Sequence, residues 1–192
     1  MRDLRIRLPP VAAIAAAAAI AAAVFAPASV LAQTFSTEEG HAEFKSKVPL
    51  HTFTGTSDRL VGQVVLADST VDFYIDLTTF KTGIGKRDKD MRKSLETDDY
   101  PFAEFFGKLV TPFDTLIGVE QVAVVRGDFS MHGVTRAVEL SGTLRIDDEG
   151  LHLSAEWKLN LEDYDIVPPS LLIIKVDEVQ EVRIDVLMRL KQ

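Results

Sequence analysis

From about Gly40 onward, apolar and polar residues alternate with a period of two over unusually long stretches. Leu151, Leu153, Ala155, Trp157, Leu159 and Leu161 alternate with His152, Ser154, Glu156, Lys158, Asn160 and Glu162. Val71, Phe73, Ile75 and Leu77 do the same, as do Val182, Ile184, Val186, Met188 and Leu190. A fourth run goes from Val134 through Val138, Leu140, Gly142 and Leu144 to Ile146, broken only at Arg136 and Ala137. Successive side chains of a strand point to opposite faces, so each run predicts a half-buried strand with one apolar face.

Short turns join these runs. Asp147-Asp148-Glu149-Gly150 is a tight hairpin between two long strands, and His132-Gly133 separates the strand ending near Met131 from the one starting at Val134. Long strands joined this way pair antiparallel. Strands well beyond the usual five or six residues favour a tilted up-and-down barrel over a flat sandwich. The only helical stretch expected is Gly85 to Leu95, polar nearly all round apart from Met91 and Leu95, and so a surface helix. Pro168-Pro169 interrupts the alternation, which makes Asp163 to Ser170 a loop. The register of His51-Thr52-Phe53-Thr54-Gly55 toward Gly62 does not follow from the pattern.

The N-terminus belongs to a different regime. Arg2, Arg5 and Arg7 precede an Ala/Ile/Val run from Val11 to Phe25, followed by Pro27 and the small-residue string Ala28-Ser29-Val30-Leu31-Ala32. This is the pattern of a Sec-type signal peptide, 1–32, cleaved after Ala32. The apolar run is short of the roughly 20 residues that span a bilayer, so no stable membrane anchor is expected, and the mature domain, 33–192, is periplasmic or secreted. Its length suffices to bury about two thirds of the unfolded surface.

Composition narrows the chemistry. With 29 Asp+Glu against 21 Lys+Arg the chain is acidic, which disfavours nucleic acid as a partner. The absence of cysteine removes disulfides, thiolate metal sites and a cysteine nucleophile. His41, His51, His132 and His152 form no metal-binding pair. Thr82-Gly83-Ile84-Gly85-Lys86 lacks the glycine spacing and the following hydroxyl of a phosphate loop, and the acidic clusters at Asp98-Asp99, Asp147-Asp148-Glu149 and Asp163/Asp165 lack calcium-loop spacing. No nucleophile, base and orienter can be assembled, so no enzyme, no metal and no cofactor is expected.

Two segments in order carry a resemblance. Thr82-Gly83, Arg87-Asp88, Met91-Arg92, Tyr100-Pro101 and Phe105 form one; Gly127-Asp128-Phe129-Ser130-Met131-His132-Gly133-Val134-Thr135 forms the other. Together with Gly40-His41-Ala42-Glu43-Phe44 and Val176-Asp177-Glu178-Val179, they resemble the YceI-like family of secreted, polyisoprenoid-binding proteins over roughly Gly40 to Leu190. The resemblance implies an eight-stranded antiparallel, lipocalin-like barrel around an isoprenoid or other lipid ligand. Glu162 to Pro169 departs from the family pattern at a segment that shapes one end of the barrel.

An eight-stranded barrel is either filled by its own side chains or holds one small ligand. The candidate lining is Phe73, Ile75, Leu77, Phe105, Val125, Phe129, Met131, Val138, Leu140, Leu144, Leu153, Trp157, Leu159, Ile184 and Val186. The function expected is an exported carrier or sequestering protein for a polyisoprenoid, prenyl quinone or fatty-acyl lipid. The alternative is a solid-cored barrel acting as a surface interaction or stress-response module, and a homodimer is compatible with either. Gly62, Gly107, Gly127 and Gly142 inside strands mark either bends that let the barrel close or positions where a ligand approaches the backbone. Arg87, Asp88 and Arg92 either orient the barrel mouth or fix the helix locally, and His132 is expected to hold its hairpin.

Overall fold

The computed structural model describes residues 33–48, 51–115, 117–168, 170–171 and 174–191. The signal-peptide assignment for residues 1–32 lies outside the described residues, as does Pro169. Eight strands form the molecule's frame: β1 (Thr34–Val48), β2 (His51–Val65), β3 (Thr70–Asp76), β4 (Phe102–Leu109), β5 (Gln121–Met131), β6 (Val134–Asp147), β7 (Gly150–Asn160) and, after a two-stranded excursion of β8 (Ser170–Leu171) and β9 (Ile174–Lys175), β10 (Val179–Leu190). They close antiparallel in the order β1-β10-β7-β6-β5-β4-β3-β2, so only the first and last of the eight close the ring out of sequence. This is the eight-stranded antiparallel barrel expected from the sequence.

The two ends of the barrel differ. At one end sit the β1–β2 turn, the His132-Gly133 hairpin and two long connections, 77–101 and 161–178. The first connection carries helix α1 (Gly85–Ser94). The second opens with a 3-10 turn at Leu161–Tyr164 and continues as loop through Pro168, where the sequence predicts a loop from Asp163. At the other end, Phe35, Val64, Ile146, Leu151 and Met188 pack into a solid layer, with Leu151 and Met188 at 0% exposure.

Register explains what the alternation left open. β2 is one continuous strand, paired with β1 from Val48↔His51 to Thr34↔Val65, but the pairing slips around Gly40. β2 buries Gly55 and Ser57 on one side of the slip, then Leu60, Gly62 and Val64 on the other. A one-residue slip flips side chains between faces, so no single period-two frame runs through this strand.

Glycines make room where the wall is tight. A Cβ on Gly62 would lie 2.1 Å from the ring of Phe73, and one on Gly55 would lie 2.2 Å from the ring of Phe44. Gly107 and Gly127 face each other across β4–β5, where a Cβ on Gly127 would sit 2.2 Å from the Phe106 carbonyl oxygen. These are close approaches of chain to chain or ring to backbone.

Candidate functional site

Above the packed layer the barrel is not filled. A cavity of about 540 Å³ runs from Val64 and Leu144 near the closed end to helix α1, within the range of about 300–1,000 Å³ typical of small-molecule sites. Thirteen of the predicted lining residues surround it: Phe73, Ile75, Leu77, Phe105, Val125, Phe129, Met131, Leu140, Leu144, Leu153, Trp157, Leu159 and Ile184. Val138 and Val186 do not. Val138 packs against the core from its partly buried position, and Val186 is buried with its Cγ1 about 3.2 Å from where a Gly40 Cβ would stand. Close packing at the β1 irregularity turns Val186 into wall rather than lining.

The sequence pattern does not reveal the contribution of β1, β2 and the connections. Ala42, Phe44, Ser46, Phe53 and Leu60 line the cavity from the slipped strands, Phe80 and Met91 from the first connection, and Leu161, Ile166 and Pro168 from the second. Phe44 stacks edge-on to Phe53 and tilts against Phe80, with centroids 6.2 and 5.6 Å apart. The signal available was the apolar pair Met91 and Leu95 on an otherwise polar helix, since both face the cavity.

Helix α1 is fastened at the mouth by its first turn. Asp88, only 7% exposed, accepts hydrogen bonds from Thr82 N at 2.8 Å and Thr82 Oγ1 at 2.5 Å. The Thr82 hydroxyl holds the Asp88 carboxyl below the usual carboxylate range, against the opposing effect of burial. Arg87 Nη2 donates to the Thr82 carbonyl oxygen at 2.6 Å, and its guanidinium lies 4.2 Å from the centroid of the Phe53 ring. The Thr82-Gly83 and Arg87-Asp88 pairs therefore act together as a backbone staple, and Arg87 also lines the mouth. Lys86 pairs with Asp90 one turn on, at 2.9 Å.

A second staple holds the other rim connection. His132 and Gly133 both have positive φ, 53° and 76°, the twist that suits a two-residue hairpin. His132 Nδ1–H donates to the Tyr164 carbonyl oxygen at 2.9 Å, and its ring meets Tyr100 edge-on at 5.1 Å. The histidine thus ties its hairpin to the 161–166 segment. Tyr164 is buried against Phe129, and burial raises its phenol above its ordinary value. His152, expected on the polar face, stands 2.9 Å from Asp147 on the outer wall. Among the described residues no cluster of three or more His, Asp or Glu is arranged to hold a metal ion, and no helix is long and apolar enough to cross a membrane.

The geometry has counterparts. A family model for the YceI-like domain matches residues 33–188. A polyisoprenoid binding domain from Saccharophagus degradans, implicated in plant cell wall breakdown, superposes with a TM-score of 0.70 at 18% identity, covering 84% of this chain and 99% of that one. BcnA of Burkholderia cenocepacia gives 0.65 at 14%, covering 78% and 96%. A Campylobacter jejuni YceI protein gives 0.55 at 15%, covering 72% and 84%. At these identities the likeness is one of fold. No curated protein matches the chain.

Proposed function

Because the chain belongs to the YceI-like domain family, matched over residues 33–188, we propose that its barrel binds a long apolar ligand, a polyisoprenoid, prenyl quinone or fatty-acyl lipid, and serves as an exported carrier or sequestering protein. The observation that carries this reading is the unfilled, overwhelmingly apolar cavity of about 540 Å³. Protein interiors are otherwise packed as densely as organic crystals, so an interior void of this size argues against a solid core acting only through its surface. Each methylene a ligand buries there contributes about 0.8 kcal/mol. Sequestration needs no catalytic group.

The polyisoprenoid-binding Saccharophagus domain has the same fold and supports the ligand class. Export is supported by the basic head, short apolar run and small-residue site of residues 1–32, and by a family match that starts at residue 33. The test is native mass spectrometry of the chain purified from the exported fraction, with organic extraction and lipid analysis. A stoichiometric adduct of prenyl or acyl mass is expected. A bare mass that stays unchanged after incubation with prenyl quinones would overturn the carrier role.

A further inference from the structure

Among the described residues, four buried side-chain polar atoms have no hydrogen-bond partner: Ser46 Oγ, Arg87 Nε, His132 Nε2 and His152 Nε2. The two histidine nitrogens stand near carboxylates, 3.4 Å from Glu96 and 2.9 Å from Asp147. The other two belong to residues that line the cavity. Buried polar groups are nearly always paired, so an orphan facing an apolar void marks a place where something else supplies the bond.

The strand register gathers these orphans into one layer. Ser46, with 0% exposure, lies directly opposite Phe53 on β2, and the Arg87 guanidinium stacks on that same ring. On the other side, Lys45 pairs with Glu181, and continuing that register by one brings Ser46 beside Gln180. Gln180 is also buried and also lines the cavity. Its Nε2 donates to the Asp177 backbone oxygen at 2.5 Å. All of this sits near the α1 end, one layer above Trp157 and well above the packed end.

We propose that Ser46 and Arg87 form a head-group site, with the buried Gln180 beside it. The ligand is an apolar chain ending in an oxygen acceptor, which receives hydrogen bonds from Ser46 Oγ–H and Arg87 Nε–H while the tail runs toward the closed end. This rests on the lipid-binding reading above and specifies it. A plain hydrocarbon leaves both donors unpaired, and a site with unpaired donors discriminates against a ligand that cannot satisfy them. The head is neutral or singly charged. Arg87 already gives one arm to Thr82, and the neighbouring cation, Lys86, is already paired with Asp90.

The experiment compares decane, decanol and decanoate on the mature chain, read by the emission of its single tryptophan, Trp157, and by the ligand-induced shift in Tm. Ser46→Ala is expected to weaken decanol and decanoate by about tenfold relative to decane, the scale of one hydrogen bond to the ligand. In the ligand-free protein the same substitution is expected to hold or raise Tm, because it removes an unsatisfied hydroxyl. Arg87→Lys, which keeps the charge and loses Nε, should show the same selective loss for decanoate. Equal changes for all three ligands, or a lowered ligand-free Tm in Ser46→Ala, would overturn the head-group site and leave the carrier role standing. If none of the three binds the unsubstituted protein, the lipid-binding reading falls and takes this site with it.

Discussion

At Gly62, the smallest side chain decides the shape of the cavity wall. The Phe73 ring occupies the space a Cβ would need, so Gly62→Ala must push a lining side chain into the void or out of its rotamer. The expected cost is about 1–3 kcal/mol, the range for overpacking, together with weaker ligand binding. Gly85 is the control. It opens helix α1, and a Cβ added there would meet nothing within 4 Å, so Gly85→Ala should stabilise by about 0.5–1 kcal/mol. Urea melts of both variants test the pair, and the contrast fails if the two move in the same direction. Asp88 makes a pH-dependent prediction. Its carboxyl is depressed in the folded state, so its contribution is fully present above the ordinary value of 3.8 and is lost as pH falls below it through the folded value. Asp88→Asn should therefore be less stable than the parent by about 1.5–3 kcal/mol above that value, the range for a hydrogen bond to a charged group, with the gap closing in acid. Thermal melts between about pH 5 and pH 2 measure it, and a gap independent of pH would refute the staple.

The elements divide by how much of their logic is local. β3, β6, β7 and β10 announce themselves because their inward residues are mostly large and apolar along one frame, interrupted in β6 only at Arg136 and Ala137. β1 and β2 do not, since the slip at Gly40 changes the frame and the inward positions include Gly55, Ser57, Gly62 and Ser46, which carry no hydrophobic signal. The same cause hid part of the candidate site, because Phe44, Ser46 and Phe53 lie on those strands. Helix α1 is legible as a helix, but its place over the mouth depends on Thr82 meeting Asp88 and Arg87, which no periodicity encodes. The His132-Gly133 hairpin is legible as a turn, while its reach to Tyr164 joins segments 32 residues apart. His132→Asn separates those two roles. Asn-Gly is among the best pairs for this turn, so the barrel should keep its melting temperature to within a few degrees, while the untied 161–168 segment becomes a preferred site of limited proteolysis. Cleavage no faster than in the parent would mean that Tyr164, packed on Phe129, holds the segment unaided.

At the scale of the whole molecule, one barrel combines a solid end and a hollow end, and the same substitution should behave differently in each. Leu151 is wholly buried in the packed layer and pairs with Met188 across β7–β10, whereas Leu153, one inward position up the same strand, already borders the void. Leu151→Ala removes contacts on all sides and should cost about 2–5 kcal/mol; Leu153→Ala, with part of its surface already unpacked, should fall at or below the low end of that range. The ligand series responds in the opposite sense. For saturated carboxylates of increasing length, affinity is expected to rise about fourfold per methylene, equivalent to about 0.8 kcal/mol, until the tail meets the layer of Phe35, Val64, Ile146, Leu151 and Met188, and then to level off. Leu151→Ala lowers that floor, so the plateau should move to longer chains although the protein is less stable. Leu153→Ala should widen the cavity without moving the plateau. Isothermal titration across the series in the three proteins distinguishes depth from width, and a plateau at the same chain length in all three would mean that the packed layer does not set ligand length.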